Sequence, residues 1–256
     1  MKAIVQHKHG APDVLERQER LGRVTGLLYL VVAVVGMFAP MALQTLVVPG
    51  DTATTAANIL GSRWLFGSSL VNWIVLVVAD IAVAVTLYLL LEPVSRALSL
   101  VAAALRLVYA AILGAIVLNL YDAFLLLTSA ARGAGLAAPQ RQTMALSALA
   151  TFNAGFLLAL VFFGVHLVVL GYLLYRSRYV PRALGVLLVA AGSGYIMDSL
   201  AHVFVADYGG LVRAVLLAPA VVGELGLTAW LLVKGVKVRW DVAPDSPLAG
   251  ATGGTR

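Results

Sequence analysis

The chain has 256 residues, of which 61% are hydrophobic and 12% are charged, and its mean hydropathy is +0.96. The absence of cysteine excludes disulfides, iron–sulfur ligation and thiol catalysis. A net charge of +6 fits a nucleic-acid-binding protein or a membrane protein with basic residues collected at one face, and the apolar composition favours the membrane. Long runs that are apolar on all sides argue against a soluble core and a β-barrel, and they predict an all-α polytopic membrane protein.

Six apolar runs of about 20 residues or more predict six transmembrane helices. We place the spans at residues 24–46, 65–91, 97–127, 151–175, 181–204 and 210–235. They form a transmembrane domain over residues 23–239, preceded by a leader at residues 1–22. The first run is too long for a typical cleaved signal and is predicted to be an anchor. The Pro/Gly-rich tail at residues 240–256 is predicted to be disordered.

The connections between spans predict which helices are neighbours. The segment 92–96 (Glu-Pro-Val-Ser-Arg) is a tight turn that makes spans two and three antiparallel neighbours, and the segment 176–182 does the same for spans four and five. After the first span, Asp51 is predicted to cap a short surface helix that ends near Ile59. The Gly/Ala-rich segment 132–142 is predicted to be a mobile loop.

The distribution of basic residues predicts the orientation of the chain. Arginine and lysine cluster before span one, after spans two and four, and after span six, whereas the opposite loops hold only Arg63, Arg132, Arg141 and Arg213. Because basic residues collect on the cytoplasmic side, both termini are predicted to be cytoplasmic, in the inner membrane of a cell.

Four ionisable residues are predicted to share one depth within the membrane. With a rise of about 1.5 Å per residue, Asp80, Arg106, His166 and Glu224 each lie near the middle of their own span. Intramembrane charges need partners, and the tight turn favours an Asp80–Arg106 pair, which leaves Glu224 to meet His166 or the same arginine. This central layer could be a structural clamp between helices or a ligand or transport site, and both readings remain open.

A second polar layer is predicted nearer the outer face. Asp198 and His202 lie four residues apart on one face of span five, and Asn119 and Asp122 lie near the outer end of span three. Asp-x-x-x-His supplies two metal ligands without a clear third, so an interfacial hydrogen-bond network is favoured over a metal site. We therefore predict no metal and no cofactor.

Several blocks of sequence resemble an uncharacterised bacterial membrane family, known as domain of unknown function 4386, from about residue 23 to residue 235. The most specific block is residues 171–177 (Gly-Tyr-Leu-Leu-Tyr-Arg-Ser) running into residues 181–187 (Pro-Arg-Ala-Leu-Gly-Val-Leu), and residues 23–30 and 49–59 also match. The resemblance implies six spans in a bacterial inner membrane and no known activity. At the position three residues after Arg106, where the family often has Glu or Gln, this chain has Tyr109.

The first 17 residues resemble something else, the opening of quinone-reductase-like medium-chain dehydrogenases. The rest of that fold is absent, and no Gly-x-Gly-x-x-Gly follows a strand and opens a helix. We interpret the leader as a fusion or a start-site artefact.

The sequence favours a non-catalytic protein that binds or moves a small solute or a proton through the central layer. The rival hypothesis is a membrane scaffold, or the partner of another membrane protein, whose buried charges only lock helices together. No Ser/His/Asp triad, His-Glu-x-x-His helix or phosphate loop is present, so an enzyme is not expected. The expected partners are the lipid bilayer and an unidentified solute or membrane protein, not nucleic acid.

Overall fold

The computed structural model describes residues 11–205 and 210–236, and in these ranges every regular element is an α-helix. The helices are α1 (Ala11–Leu46), α2 (Thr52–Gly61), α3 (Arg63–Leu91), α4 (Arg96–Thr128), α5 (Ala138–Ser177), α6 (Arg182–Phe204) and α7 (Gly210–Val233). All except α2 are long and apolar enough to cross a membrane. The predicted all-α fold with six spans is thereby confirmed. The predicted tail at residues 240–256 and the first ten residues of the leader lie outside the described residues.

The six long helices form a ring in chain order, and α2 lies across one end of it. Contacts join α1 to α3, α3 to α4, α4 to α5, α5 to α6 and α6 to α7, and contacts between α7 and α1 close the ring. Six touching cylinders about 10 Å wide enclose a central space of similar width. Side chains must fill that central space or leave a cavity there. The candidate site lies in this space, where all six long helices meet.

The two ends of the ring differ. One, here called the basic end, contains the turns at residues 92–95 and 178–181, the start of the first span and the end of α7. The other, here called the α2 end, contains α2 and the loop at residues 129–137.

Local sequence signals explain several helix boundaries. Asp51 caps α2 as predicted, because its carboxylate accepts hydrogen bonds from the Thr54 backbone N–H at 2.9 Å and hydroxyl at 2.7 Å. At the tight turn, Ser95 precedes α4, and the Ser99 hydroxyl donates to the Tyr88 carbonyl of α3 at 2.9 Å. That bond ties α3 to α4 as antiparallel neighbours.

Two helices begin earlier than the sequence patterns predict. Helix α5 starts at Ala138, inside the predicted mobile loop, where the Gln140 side chain accepts a hydrogen bond from the Ala137 N–H at 2.9 Å. Alanine-rich sequence propagates a helix well once its first turn is capped. Helix α1 starts at Ala11, so the described part of the leader continues straight into the first span, and Gln18 is buried.

Glycines allow α5 and α6 to pack with their backbones in close contact. An added Cβ at Gly171 would lie 2.9 Å from the Val189 nitrogen, and one at Gly185 would lie 2.9 Å from the Tyr175 nitrogen. Gly164 and Gly192 face each other one heptad further along the same pair of helices. Small residues permit such close approach in membrane helices, so these glycines fix the position of α5 against α6.

Candidate functional site

Arg106 is the centre of a buried polar cluster near the middle of the bundle. Its guanidinium Nη2 lies 2.5 Å from Asp80 Oδ1 on α3, and its Nη1 donates to the Tyr29 hydroxyl of α1 at 3.1 Å. Arg106 is 0% exposed and Asp80 is 1% exposed. The pair predicted from the tight turn between α3 and α4 is thus in contact, fully away from solvent.

His166 of α5 belongs to the same cluster, and its contacts assign its tautomer. Nδ1 lies 2.7 Å from the Ala102 carbonyl, which can only accept, so Nδ1 carries the hydrogen. Nε2 lies 3.2 Å from Arg106 Nη1, which can only donate, so Nε2 accepts. The contacts require a neutral imidazole, which adds no positive charge beside the arginine.

Two aromatic rings lie close to the guanidinium of Arg106. The guanidinium carbon lies 5.0 Å from the centroid of the Tyr29 ring and 5.3 Å from that of Phe163. Cation–π contacts of this kind strengthen when water is excluded. Tyr29, Asp80, Arg106 and His166, here called the arginine cluster, therefore join α1, α3, α4 and α5 into one unit.

Glu224 of α7 does not join the arginine cluster. Its Oε1 accepts a hydrogen bond from the Tyr195 hydroxyl of α6 at 3.0 Å, and within residues 11–205 and 210–236 it forms no ion pair. The predicted partners His166 and Arg106 are therefore not in hydrogen-bond contact with Glu224, although the charge of Arg106 acts on it. The sequence indicates the depth of a residue but not the direction in which its side chain points. In the structure, Tyr195 of α6 contacts the Glu224 carboxylate directly, and Arg106 does not.

A cleft runs from the α2 end into the middle of the bundle, and it has two adjoining parts. The chamber nearer α2, here called the entry chamber, has a volume of about 460 Å³, and the deeper one, here called the central chamber, of about 380 Å³. The two chambers adjoin each other, because both are lined by Pro40, Trp73, Phe156 and Arg213. Volumes of this size are typical of small-molecule sites.

The central chamber is lined by all six long helices, mainly through apolar and aromatic side chains. Glu224 and Tyr195 lie in its wall, whereas no member of the arginine cluster does. Its aromatic walls are Trp73, Tyr109, Phe156, Phe163 and Tyr195. The central layer predicted from sequence is therefore divided into two parts. The arginine cluster is buried between helices, whereas Glu224 lies in the wall of the central chamber.

Helices α1 and α7 close the cleft toward the basic end. An added Cβ at Gly22 would touch Val236, and one at Gly26 would lie 2.9 Å from Leu231 Cβ and from the Leu232 nitrogen. The parts of these helices that line the central chamber, Val32–Pro40 and Arg213–Glu224, lie further toward the α2 end. The two helices thus touch on one side of the membrane and flank the cavity on the other.

The outer layer predicted from sequence is also divided. Asp198 is buried and lies 3.3 Å from the Arg213 guanidinium, and both residues line the central chamber. His202 Nδ1 bonds to the backbone carbonyl of Asp198 at 2.8 Å and lies 3.9 Å from its carboxylate. Asp198 therefore connects α6 with α7 at the level between Glu224 and the α2 end.

Asn119 and Asp122 take no part in that arrangement. The Asn119 amide donates to the Ile116 carbonyl of its own helix at 3.1 Å, and Asp122 pairs with Arg132 in the following loop at 2.5 Å. Over the part of the chain that the structure describes, no three His, Asp or Glu side chains come together as metal ligands.

Sequence reasoning did not identify Tyr29, Tyr195 and Trp73 as parts of the site. A tyrosine or tryptophan in the middle of an apolar span needs a partner for its polar group, and that signal was present at all three positions. Tyr29 and Tyr195 find partners in Arg106 and Glu224. Among the described residues, the Trp73 indole N–H has no acceptor, although the ring lines both chambers.

Comparison with known proteins identifies a family and a distant relative. An uncharacterised protein of Archaeoglobus fulgidus is 31% identical over 170 residues, which is 66% of this chain and 85% of the relative. No solved structure matches the chain significantly. The family model described as "Domain of unknown function (DUF4386)" matches residues 24–235, which excludes the dehydrogenase-like opening and includes every residue of the cleft. The chain is a multi-pass membrane protein that belongs to this family.

Proposed function

We propose that the protein binds a small, largely apolar solute in the cleft, with Glu224 as the polar contact, and moves the solute or a proton through the bundle. The observation that carries this proposal is the mid-membrane carboxylate of Glu224 in the wall of a chamber of about 380 Å³. Intramembrane carboxylates that face a cavity are typical of ligand sites and ion pathways. Trp73 lines the same chamber, and its N–H has no acceptor among residues 11–205 and 210–236.

The cleft also has the asymmetry that solute movement requires. The cleft lies on the side of the bundle that faces the α2 end. On the side of the basic end, α1 and α7 are in contact at Gly22 and Gly26. Pro40 in α1 and Pro219 in α7 each remove one helical hydrogen bond, and this allows local bending in the two helices that flank the cavity.

A non-catalytic scaffold is the second candidate, and the arginine cluster favours it. That cluster lies outside the chamber walls, joins four helices and is buried, as expected of a structural lock. The two roles occupy different residues and can be tested separately. In neither case do we propose an enzyme or a nucleic-acid partner.

We place the protein in the cytoplasmic membrane with both termini in the cytoplasm. Among the described residues outside the hydrophobic interior, the basic end carries twice as many basic residues as the α2 end. They are Arg17, Arg20, Arg23, Arg96, Arg176, Arg178, Arg182 and Lys234, against Arg63, Arg132, Arg141 and Arg213. Because basic residues collect on the cytoplasmic side, this excess favours a cytoplasmic basic end. Reporter fusions after Arg256 and within residues 131–140 should report opposite sides, and matching signals would refute this orientation.

The absence of native cysteine allows a direct test of the cleft. Leu217 lines the central chamber, whereas Val78 is 62% exposed on the outside of the bundle and is absent from the lining. In vesicles, a water-soluble thiol reagent should label Leu217→Cys and not Val78→Cys, because a thiol in lipid does not ionise. Equal protection of both positions would show that the cleft holds no water and would favour the scaffold.

Flux then separates transport from binding alone. Purified protein in liposomes with an entrapped pH dye should show proton or solute-coupled flux that Glu224→Gln abolishes. Glu92→Gln, at an exposed turn of the basic end, is the matched control and should leave flux unchanged. Flux that survives Glu224→Gln would contradict the role assigned to this carboxylate.

A further inference from the structure

Among the described residues, one carboxylate in the wall of the central chamber forms no ion pair at contact distance. Arg106 is compensated by Asp80, and Arg213 by Asp198. His166 is the neutral tautomer, as its two hydrogen bonds require. Within the described residues, Glu224 has only the uncharged hydroxyl of Tyr195 as its hydrogen-bond partner. The Arg106 charge attracts this carboxylate from beyond contact distance, and a bound cation or a proton in direct contact would stabilise it further at this depth.

The chamber wall has a second feature that suits a positively charged ligand. Pro40 lacks an N–H, so the Gly36 carbonyl one turn earlier is without its usual helical donor. Gly36 and Pro40 both line the central chamber with Glu224. The lining residues of α1 and α7 thus include one whose carbonyl lacks a helical donor and one that carries a carboxylate.

Aromatic side chains make up much of the remaining wall. Trp73 packs edge-on against Phe156 with centroids 5.3 Å apart, and Phe163 packs edge-on against Tyr195 at 5.5 Å. The electron-rich faces of such rings attract organic cations, including quaternary ammonium groups that cannot donate hydrogen bonds. A chamber of about 380 Å³ is suited to an organic molecule rather than to a bare metal ion.

We infer that the ligand of the central chamber is a hydrophobic organic cation, an amine or quaternary ammonium compound with an apolar body. Its charged nitrogen lies against the Glu224 carboxylate, and its apolar body lies among the aromatic side chains. This inference rests on the proposed function, because it names the class of solute that the cleft takes.

The test uses three probes of similar size and different charge. Benzyltrimethylammonium is the cation, neopentylbenzene is its uncharged carbon isostere, and benzenesulfonate is an anion. Binding to the purified full-length protein is measured by equilibrium dialysis. Protection of Leu217→Cys from the thiol reagent reports occupancy of the chamber itself. We expect the cation to bind roughly tenfold or more tightly than the isostere, and sodium or potassium not to displace it.

Variants of Glu224 identify the cause of that preference. Glu224→Gln keeps the shape of the side chain and should remove the preference for the cation while leaving the isostere unaffected. Glu224→Asp keeps the charge and should retain part of the preference, so a failure of the Gln variant to fold does not remove the test. Glu92→Gln is the control on the exposed turn and should bind like the wild type.

The outcomes distinguish this inference from the proposed function. If the cation and the isostere protect the thiol equally and Glu224→Gln changes neither, the cation inference is refuted while the cleft remains a binding site. Tighter binding of the anion would also refute it, because Arg213 would then dominate. If no probe binds and the Leu217→Cys thiol is not labelled, both the inference and the proposed function fail.

Discussion

The Asp80–Arg106 pair should behave as a single energetic unit. Asp80→Asn leaves a guanidinium, 0% exposed, without the carboxylate charge that lies in contact with it. Removing one partner of a buried pair costs about 3–5 kcal/mol, because the other charge is left uncompensated. Arg106→Gln leaves a buried carboxylate and also removes the hydrogen bond to Tyr29 and two ring contacts, so its cost should be larger by about 1–3 kcal/mol.

The double variant should cost clearly less than the sum of the two single variants. With both charges gone, two neutral amides remain at positions 80 and 106, and neither position leaves a charge that has lost its partner. We expect a coupling energy of about 2–3 kcal/mol from a double-mutant cycle, the upper range for contacting residues. The free energy of unfolding can be measured by reversible denaturation in mixed micelles, with secondary structure followed by circular dichroism.

A matched pair at the surface provides the control. Asp122 and Arg132 form an ion pair whose side chains are 34% and 55% exposed. Exposed pairs contribute about 0–1 kcal/mol, so the same cycle there should give a coupling below about 1 kcal/mol. If the two losses at Asp80 and Arg106 simply add, they are not energetic partners and the arginine cluster is misassigned. Because this cluster does not line the chamber, the double variant should keep ligand binding.

Three further changes test other parts of the structure. Gly171→Ala should destabilise the protein by about 1–3 kcal/mol in the same unfolding assay, because the added Cβ would collide with α6. The control Gly67→Ala, which has no atom near its added Cβ, should be neutral or slightly stabilising. Equal effects of the two substitutions would refute close contact of α5 and α6. The hydrogen bonds from Thr54 hold the pKa of Asp51 below its ordinary value of 3.8. The stabilisation of the α2 cap is therefore present above that pH and is lost as the pH falls through the lowered pKa. The protection of the Thr54 amide, taken relative to its intrinsic exchange rate at each pH, should decrease in that acid range, and unchanged protection would contradict the cap. Deleting residues 1–19 should lower the melting temperature by several degrees, because it removes helical turns of α1 that include a buried side chain, and an unchanged melting temperature would support the grafted-leader hypothesis.

The sequence alone determined the number of spans, their order and the depth of the polar residues. Apolar runs of this length can only be satisfied as helices in lipid, and a fixed rise per residue converts position into depth. The tight turn after α3 then made Asp80 and Arg106 neighbours, because two residues at equal depth on adjacent helices have few other partners. The sequence determined the ends of the helices less well than their number. The start of α5 is an example, because a Gly/Ala-rich segment is compatible with a loop or with a helix.

Only the tertiary structure decided which way each polar side chain faces. The spans are apolar on nearly all sides, so their patterns do not distinguish the face that packs from the face that meets lipid. The rotation of α6 and α7 is set instead by close contacts such as Gly194 against Leu216, and this brings Tyr195 rather than His166 to Glu224. The cleft itself arises from the closing of six helices into a ring, and no local pattern along the chain encodes that closure.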